Sequence, residues 1–317
     1  MNVTILILDH VFDTGLATVL DALTTANELA GEQRFRISIA GVRSPVTSAQ
    51  GFSISVTPFA DCPRAEWVIV PAIAYKMPGP LCEALCRPDI ADAVMALRHW
   101  SAAGTRIAAS CIGTFILAET GLLNGERATT TWWLAPLFRE RYPKVCLQFD
   151  RMIVPSGSFL TAGAALSHID MTLWLIRQSS WELADLVARY LIVDTRPSQS
   201  SYVISDHLAH SDPLVQRFDR WVREHLRSAI NLDIAASDLA TSKRTLARHV
   251  RDVLGKTPIE YIQDLRIERA VHLLRTGDDS VDAIANIVGY AEGATLRSLL
   301  RRRLGRGVRE IKIKPTG

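Results

Sequence analysis

At 317 residues the chain exceeds one ordinary core and suits two domains, and 48% hydrophobic with 22% charged residues excludes a disordered or fibrous protein. The net charge of +3 is unevenly shared, with residues 213–317 at +7 and the remainder at −4, so the C-terminal third is expected to meet a polyanion. Five cysteines without a disulfide pattern, no leader signature and no apolar run of about 20 residues lead us to expect a reduced, cytoplasmic chain that does not span a membrane. No metal-ligand spacing accompanies Cys82 and Cys86, so no metal and no cofactor are expected.

In chain order, MNVTILILD at residues 1–9 is a continuous aliphatic run, the pattern of a strand buried on both faces of a parallel sheet. A helix is expected from about Gly15 to Leu29. The runs RFRISIAGV, EWVIVPAIA, TRIAASC and SFLTAG follow, separated by helical segments such as IADAVMALRHWSAAG. Strands alternating with helices define an α/β layered domain, and its ligands sit beyond the carboxyl ends of the strands.

Two residues there draw attention. Cys111 ends TRIAAS and opens a helix within SCIGTFILAETGLLNG, where Gly113 permits a sharp turn and a helix N-terminus favours a thiolate. Asp13 follows the first strand and is placed to meet that sulfur. The alternatives are a small buried cysteine and an aspartate capping its own helix. His168, in LSHID, is either a third ligand contact or a structural hydrogen-bonder, and Trp132 and Trp133 either line a pocket or pack the core.

The stretches AASCIGTFILAETGLLNGERATTTWW and SGSFLTAGAALSHIDMTLWLI resemble the class I glutamine amidotransferase-like superfamily, in its PfpI-like branch. The resemblance implies a reactive elbow cysteine at Cys111 and an acidic contact at Asp13. The sequence departs where peptidase-type members follow the cysteine with histidine, since Ile112 stands here. It departs again in VPAIAY and at Thr131, where relatives often carry histidine. Without a paired base, a binding pocket is expected rather than an enzyme. The alternatives are a cysteine-dependent hydrolase or hydratase using Cys111 and Asp13, and a redox sensor at Cys111.

TRPSQSS has linker composition, and residues 201–212 are read as the join. From Pro213 the apolar positions follow a helical period throughout. PLVQRFDRWVREHL is expected to turn Leu214, Phe218, Trp221, Val222 and Leu226 inward. A short helix, a Thr241–Ser242 turn with Ser242 as N-cap, and a helix from Lys243 follow. In that helix Leu246, Val250, Val253 and Leu254 face a core while Arg244, Arg248 and Arg251 line the outer face, and Gly255 caps the end. Such a stripe fits a major groove, where an arginine fork meets guanine O6 and N7 together. The pattern recurs after PIEYIQDLRIERAVHLLRTG: Ser280 caps VDAIANIVG, and ATLRSLLRRRLG carries Arg297, Arg301, Arg302 and Arg303, with Leu296, Leu300 and Leu304 inward.

TSKRTLARHVRDVLGKTPIEYIQDLRIERAVHLL and IANIVGYAEG resemble the DNA-binding domain of the AraC family of transcription regulators. The resemblance implies base reading through Arg244 and Arg248, with Ser242, Lys243 and Arg251 at the same surface. In the second unit the corresponding positions are Ala294 and Ser298. Arg297 is displaced by one residue, about 100° around the helix, so this unit is expected to contact phosphates. RGVREI replaces the family's usual proline and tyrosine.

The expected fold is thus an α/β N-terminal domain at 1–200, flavodoxin-like with a parallel sheet and helices on both faces. A linker at 201–212 and an all-α C-terminal domain at 213–317 with two helix-turn-helix units follow it. The expected function is a sequence-specific transcription regulator controlled by a small metabolite held at Asp13, Cys111 and His168. The expected partners are a double-stranded DNA operator, an effector of nitrogenous type, RNA polymerase and a second copy of the chain.

Overall fold

The computed structural model describes residues 1–194, 199, 212–228, 230–277, 279–304, 307, 308 and 311. The chain divides into two compact units, Met1–Val203 and Ile204–Gly317. The predicted linker lies outside the described residues apart from Asp212, as do the side chains of Arg303 and Leu304 and half of RGVREI. No helix among the described residues is long and apolar enough to cross a membrane.

The first unit runs β1 (Asn2–Ile7), α1 (Asp13–Ala30), β2 (Arg36–Gly41), a hairpin of β3 (Val46–Thr47) and β4 (Ser53–Ile54), β5 (Thr57–Pro58) and β6 (Trp67–Val70). It continues with α2 (Pro78–Leu85), α3 (Pro88–Ala102), β7 (Arg106–Ser110), α4 (Gly113–Glu119), β8 (Arg127–Ala128), α5 (Ala135–Arg141) and β9 (Cys146–Leu147). β10 (Ile153–Ser156), β11 (Phe159–Ala162), α6 (Ser167–Arg177) and α7 (Trp181–Tyr190) complete it. Seven strands form one sheet in the order β10-β11-β7-β6-β1-β2-β5. All pairings in it are parallel except that of β10 with β11.

Alternation along β1 distributes the core between two layers. Val3, Ile5 and Ile7 pack with Leu16 and Leu23 of α1, Leu175 of α6 and Val187 of α7. Leu6 and Leu8 pack on the other face with Leu81 of α2, Leu97 of α3 and Phe115 of α4. Burying both faces explains the unbroken aliphatic runs, and each such side chain contributes about 1.5–3 kcal/mol.

The second unit contains α8 (Pro213–His225), α9 (Leu232–Asp238), α10 (Lys243–Leu254), α11 (Pro258–Thr276), α12 (Val281–Ile287) and α13 (Gly293–Leu304). Leu214, Phe218, Val222 and Leu226 are buried as their spacing requires. Trp221 departs from expectation. It is only half-buried, because its indole N–H donates to Asp238 Oδ2 at 2.8 Å and its ring stacks on His225. The neighbouring buried Asp219 accepts from Tyr261 of α11 and from Arg223 Nε at 2.9 Å, tying α8 to α11. At its other end α11 packs Ile267, Ala270 and Leu274 against Ile284 of α12 and Leu296 and Leu300 of α13. One long helix therefore carries both helix pairs.

Candidate functional site

In the first unit the sheet order reverses direction between β1 and β6, and the loops beyond their carboxyl ends converge there. The Phe12 N–H donates to Ala72 O at 2.8 Å, joining the two loops. The Ala72 N–H in turn donates to His168 Nε2 at 3.2 Å, and His168 Nδ1–H donates to Ala165 O at 2.8 Å. Both ring nitrogens are engaged and the ring is fully buried. Burial depresses the imidazole to about 4, against a smaller opposing pull from its bond to Ala165. His168 is thus a neutral clamp on the loop after β6, and no nitrogen is left for a ligand.

Cys111 adopts φ 55°, a left-handed conformation uncommon for a residue with a side chain, directly after β7. Its N–H donates to Ala162 O at 2.7 Å and its carbonyl accepts from the Thr130 hydroxyl at 2.7 Å, which hold the turn. Gly113 makes the turn sterically possible, since a Cβ there would stand 2.3 Å from Val70 O. The predicted elbow is present, but its chemistry is not that of a thiolate. Cys111 is 3% exposed, and burial pushes the thiol up to about 12 against weaker opposing pulls from the Ile112 N–H and the Thr131 hydroxyl. The helix that follows has only seven residues. Apart from that approach to the thiol, the Thr131 hydroxyl is buried without a hydrogen-bond partner.

Asp13 does not meet the sulfur. It occupies the first turn of α1, where its carboxylate accepts from the Gln50 N–H at 3.1 Å. Trp132 is buried and packs edge-to-face with Trp133. Of the three residues expected around one ligand, the structure brings His168 and Cys111 to the ends of adjacent loops and leaves both without an open polar contact. A residue the sequence did not single out stands beside the elbow instead. Gln199, within TRPSQSS, is fully buried, and its side-chain amide donates to Thr130 O at 2.8 Å.

In the second unit Ser242 caps α10, its hydroxyl accepting from the Thr245 N–H at 3.1 Å, and Gly255 ends the helix with φ 66°. Leu246, Val250, Val253 and Leu254 are buried, which turns Arg244, Arg248 and Arg251 outward. Those three guanidinium groups are exposed, and none has an ion pair or hydrogen bond among the described residues. Lys243 differs, because its ammonium lies 3.0 Å from Asp233 Oδ2. His249 Nδ1 meets Asp212 Oδ2 at 2.8 Å, and Asp212 also caps α8. Burial works against the Asp212 charge, but His249 and the Val215 and Leu214 amides together hold its carboxyl below the usual range.

In α13 Arg301 and Arg302 are likewise exposed, with no ion pair or hydrogen bond among the described residues. Arg297 instead meets Asp282 Oδ2 at 3.4 Å. Asp282 Oδ1 also accepts from the Gly293 N–H at 3.0 Å, so one carboxylate both starts α13 and holds its first arginine. Sequence spacing did not single out that acid. Ala294 and Ser298 are exposed.

The DJ-1/PfpI family matches residues 1–178, and the family described as Helix-turn-helix domain matches residues 235–312. The HTH-type transcriptional regulator GbdR of Pseudomonas aeruginosa is 25% identical over 296 residues, spanning 91% of this chain and 78% of that protein. The HTH-type transcriptional regulator ArgR of the same organism is 27% identical over 227 residues, spanning 70% and 69%. Among solved structures, an AraC family transcriptional regulator from Pseudomonas putida is similar with a TM-score of 0.51 at 18% identity, covering 60% of this chain and 98% of its own. A THiJ/PfpI family protein from Pseudomonas syringae has a TM-score of 0.50 at 20% identity, covering 62% and 76%. At those identities the structural likeness is one of fold. The chain belongs to the DJ-1/PfpI family and carries an AraC-type helix-turn-helix domain behind that fold.

Proposed function

We propose that the chain is a sequence-specific DNA-binding transcription regulator whose first domain senses a small molecule. The observation that carries this reading is the stripe of Arg244, Arg248 and Arg251. These are three exposed guanidinium groups without partners among the described residues, on a capped helix whose opposite face is locked into a core. Unpaired arginines repel one another and gain nothing from the fold, whereas base edges and phosphates satisfy them. Lys243 and Arg297, already paired, serve as secondary contacts, and Ser242 acts through its cap. Arg301 and Arg302 supply backbone contacts from α13. The names of GbdR and ArgR, both HTH-type transcriptional regulators, support the reading.

The elbow supports sensing rather than turnover. A hydrolase or hydratase needs a thiolate, and Cys111 is buried, protonated and faced by a threonine in place of a base. We place the effector beside the elbow, where the loops from β1, β6 and β7 converge, with a second copy of the chain and RNA polymerase as protein partners. A ligand changes DNA binding only through a difference in its affinity for two states of the protein. The test is selection of duplexes from a random pool by the full chain. A common sequence motif is expected after several rounds, and a pool enriched in no motif would overturn the proposal.

A further inference from the structure

Gln199 lies in a stretch that reads as linker, yet it is held like a core residue. Its side chain is fully buried and its backbone N–H donates to Asp150 O at 2.9 Å. The side-chain nitrogen donates to Thr130 O at 2.8 Å and Arg151 O at 3.2 Å, and lies 3.3 Å from Thr129 Oγ1. Three acceptors therefore surround an NH₂ group that has two hydrogens. The other half of the amide fares worse, because Oε1 is buried with no partner. The seat presents two carbonyls and the lone pairs of the Thr129 hydroxyl, whose own hydrogen is donated to Arg151 O at 2.9 Å. It suits the nitrogen of a carboxamide and leaves the oxygen orphaned, which is unfavourable in a dry site.

Room for this nitrogen depends on Gly163, where a Cβ would stand 2.1 Å from Gln199 Nε2. The φ of Gly163 lies outside the left-handed region, so glycine serves here by its size and not by its backbone freedom. The seat is also wired to the elbow. Thr130 accepts from Gln199 through its carbonyl and donates to Cys111 O through its hydroxyl. Thr131, the next residue, turns its hydroxyl toward the sulfur.

We propose that this seat, formed by Thr129, Thr130 and Arg151 over Gly163, is a ligand subsite for a primary ammonium group, and that Gln199 occupies it as an internal surrogate. An ammonium brings three donors and no acceptor, so it matches all three oxygens and orphans nothing. Ligand and Gln199 exclude one another, and binding frees Gln199, which precedes the helical domain in the chain. That consequence for DNA rests on the regulator reading, whereas the seat itself does not.

The experiment uses the full chain with methylammonium chloride as the probe and tetramethylammonium chloride, which has no N–H, at equal ionic strength as the control. In Gln199→Ala the seat has no internal competitor. Methylammonium is expected to raise Tm saturably with half-saturation several-fold lower than in wild type, and tetramethylammonium is expected not to. In wild type, methylammonium should speed hydrogen exchange at the residue 199 amide. In Gly163→Ala the added methyl fills the seat, so that amide should exchange fast without any probe and the Tm response should vanish. Equal effects of the two ions on Gln199→Ala would overturn the seat, and so would a methylammonium response that survives in Gly163→Ala. DNA selection with no probe reads the other claim separately. A chain that tells the two ions apart but selects no motif keeps the seat and loses the regulator reading, and the reverse result removes the seat alone.

Discussion

Cys111 shows how burial reverses a local signal. Its position after a strand, at the start of a helix and beside a glycine, reads as an activated thiol. The sheet and α4 then remove water from it, and the proton is retained to about pH 12. Iodoacetamide at pH 7.5 is therefore expected to label the exposed Cys86 and Cys146 in the folded chain and to spare Cys111, as read by peptide mass spectrometry. Labelling of Cys111 at rates comparable to those two would contradict the site as described. His168 gives a second test at this scale. Its folded-state value of about 4 lies below the ordinary 6.5, so below pH 6.5 the unfolded chain takes up a proton that the native chain refuses. Stability from this residue is present above pH 6.5 and is lost as pH falls toward 4, by an amount on the order of 3 kcal/mol. His168→Gln, measured by urea unfolding from pH 7 to 4, should lose stability less steeply than wild type. A wild-type curve no steeper than the variant's would refute the clamp. Neither the burial of Cys111 nor the two bonds of His168 was legible in sequence, because the Ala72 N–H lies 96 residues from His168. Gln199 was hidden for the same reason, its partners standing 48 to 70 residues away in a stretch whose Pro, Ser and Gln content reads as linker.

Whole elements were far more legible. The five short apolar runs all became strands of the seven-stranded sheet, and four of them are buried along most of their length, which leaves apolar side chains on both faces. The edge strand β10 was not foreseen, since IVPS carries a proline and alternates burial, and the two-residue strands β5, β8 and β9 are too short for any period to show. Two helices of the second unit were legible down to their N-caps, because a serine just before an apolar-periodic run states its role within four residues. Ser242 and Ser280 each accept from the N–H three positions on, and so does Thr257, which the sequence did not single out, as it did not Asp212 and Asn231. For Ser242 this separates two roles that sequence left joined. Ser242→Ala should cost about 1 kcal/mol in urea unfolding, and Ser242→Asp, which also caps, should recover most of it. A neutral Ser242→Ala with impaired DNA binding would instead assign the hydroxyl to the DNA.

At the scale of the whole molecule, a DJ-1/PfpI fold lies in the mildly acidic first two thirds of the chain and an AraC-type helix-turn-helix domain in its basic last third. We propose that exposed arginines of α10 read bases while those of α13 hold phosphates. The most direct measurement is DNA affinity across a salt series, on a selected duplex and on its scrambled counterpart, for wild type, Arg244→Ala/Arg248→Ala and Arg301→Ala/Arg302→Ala. Each base-reading arginine is worth about 1–3 kcal/mol of discrimination, so the first pair should abolish most of the preference for the selected duplex. The second pair should weaken both duplexes alike and reduce the slope of log affinity against log salt by about two. A first pair that keeps its sequence preference, or a second pair that loses it while its salt slope is unchanged, would contradict the assignment.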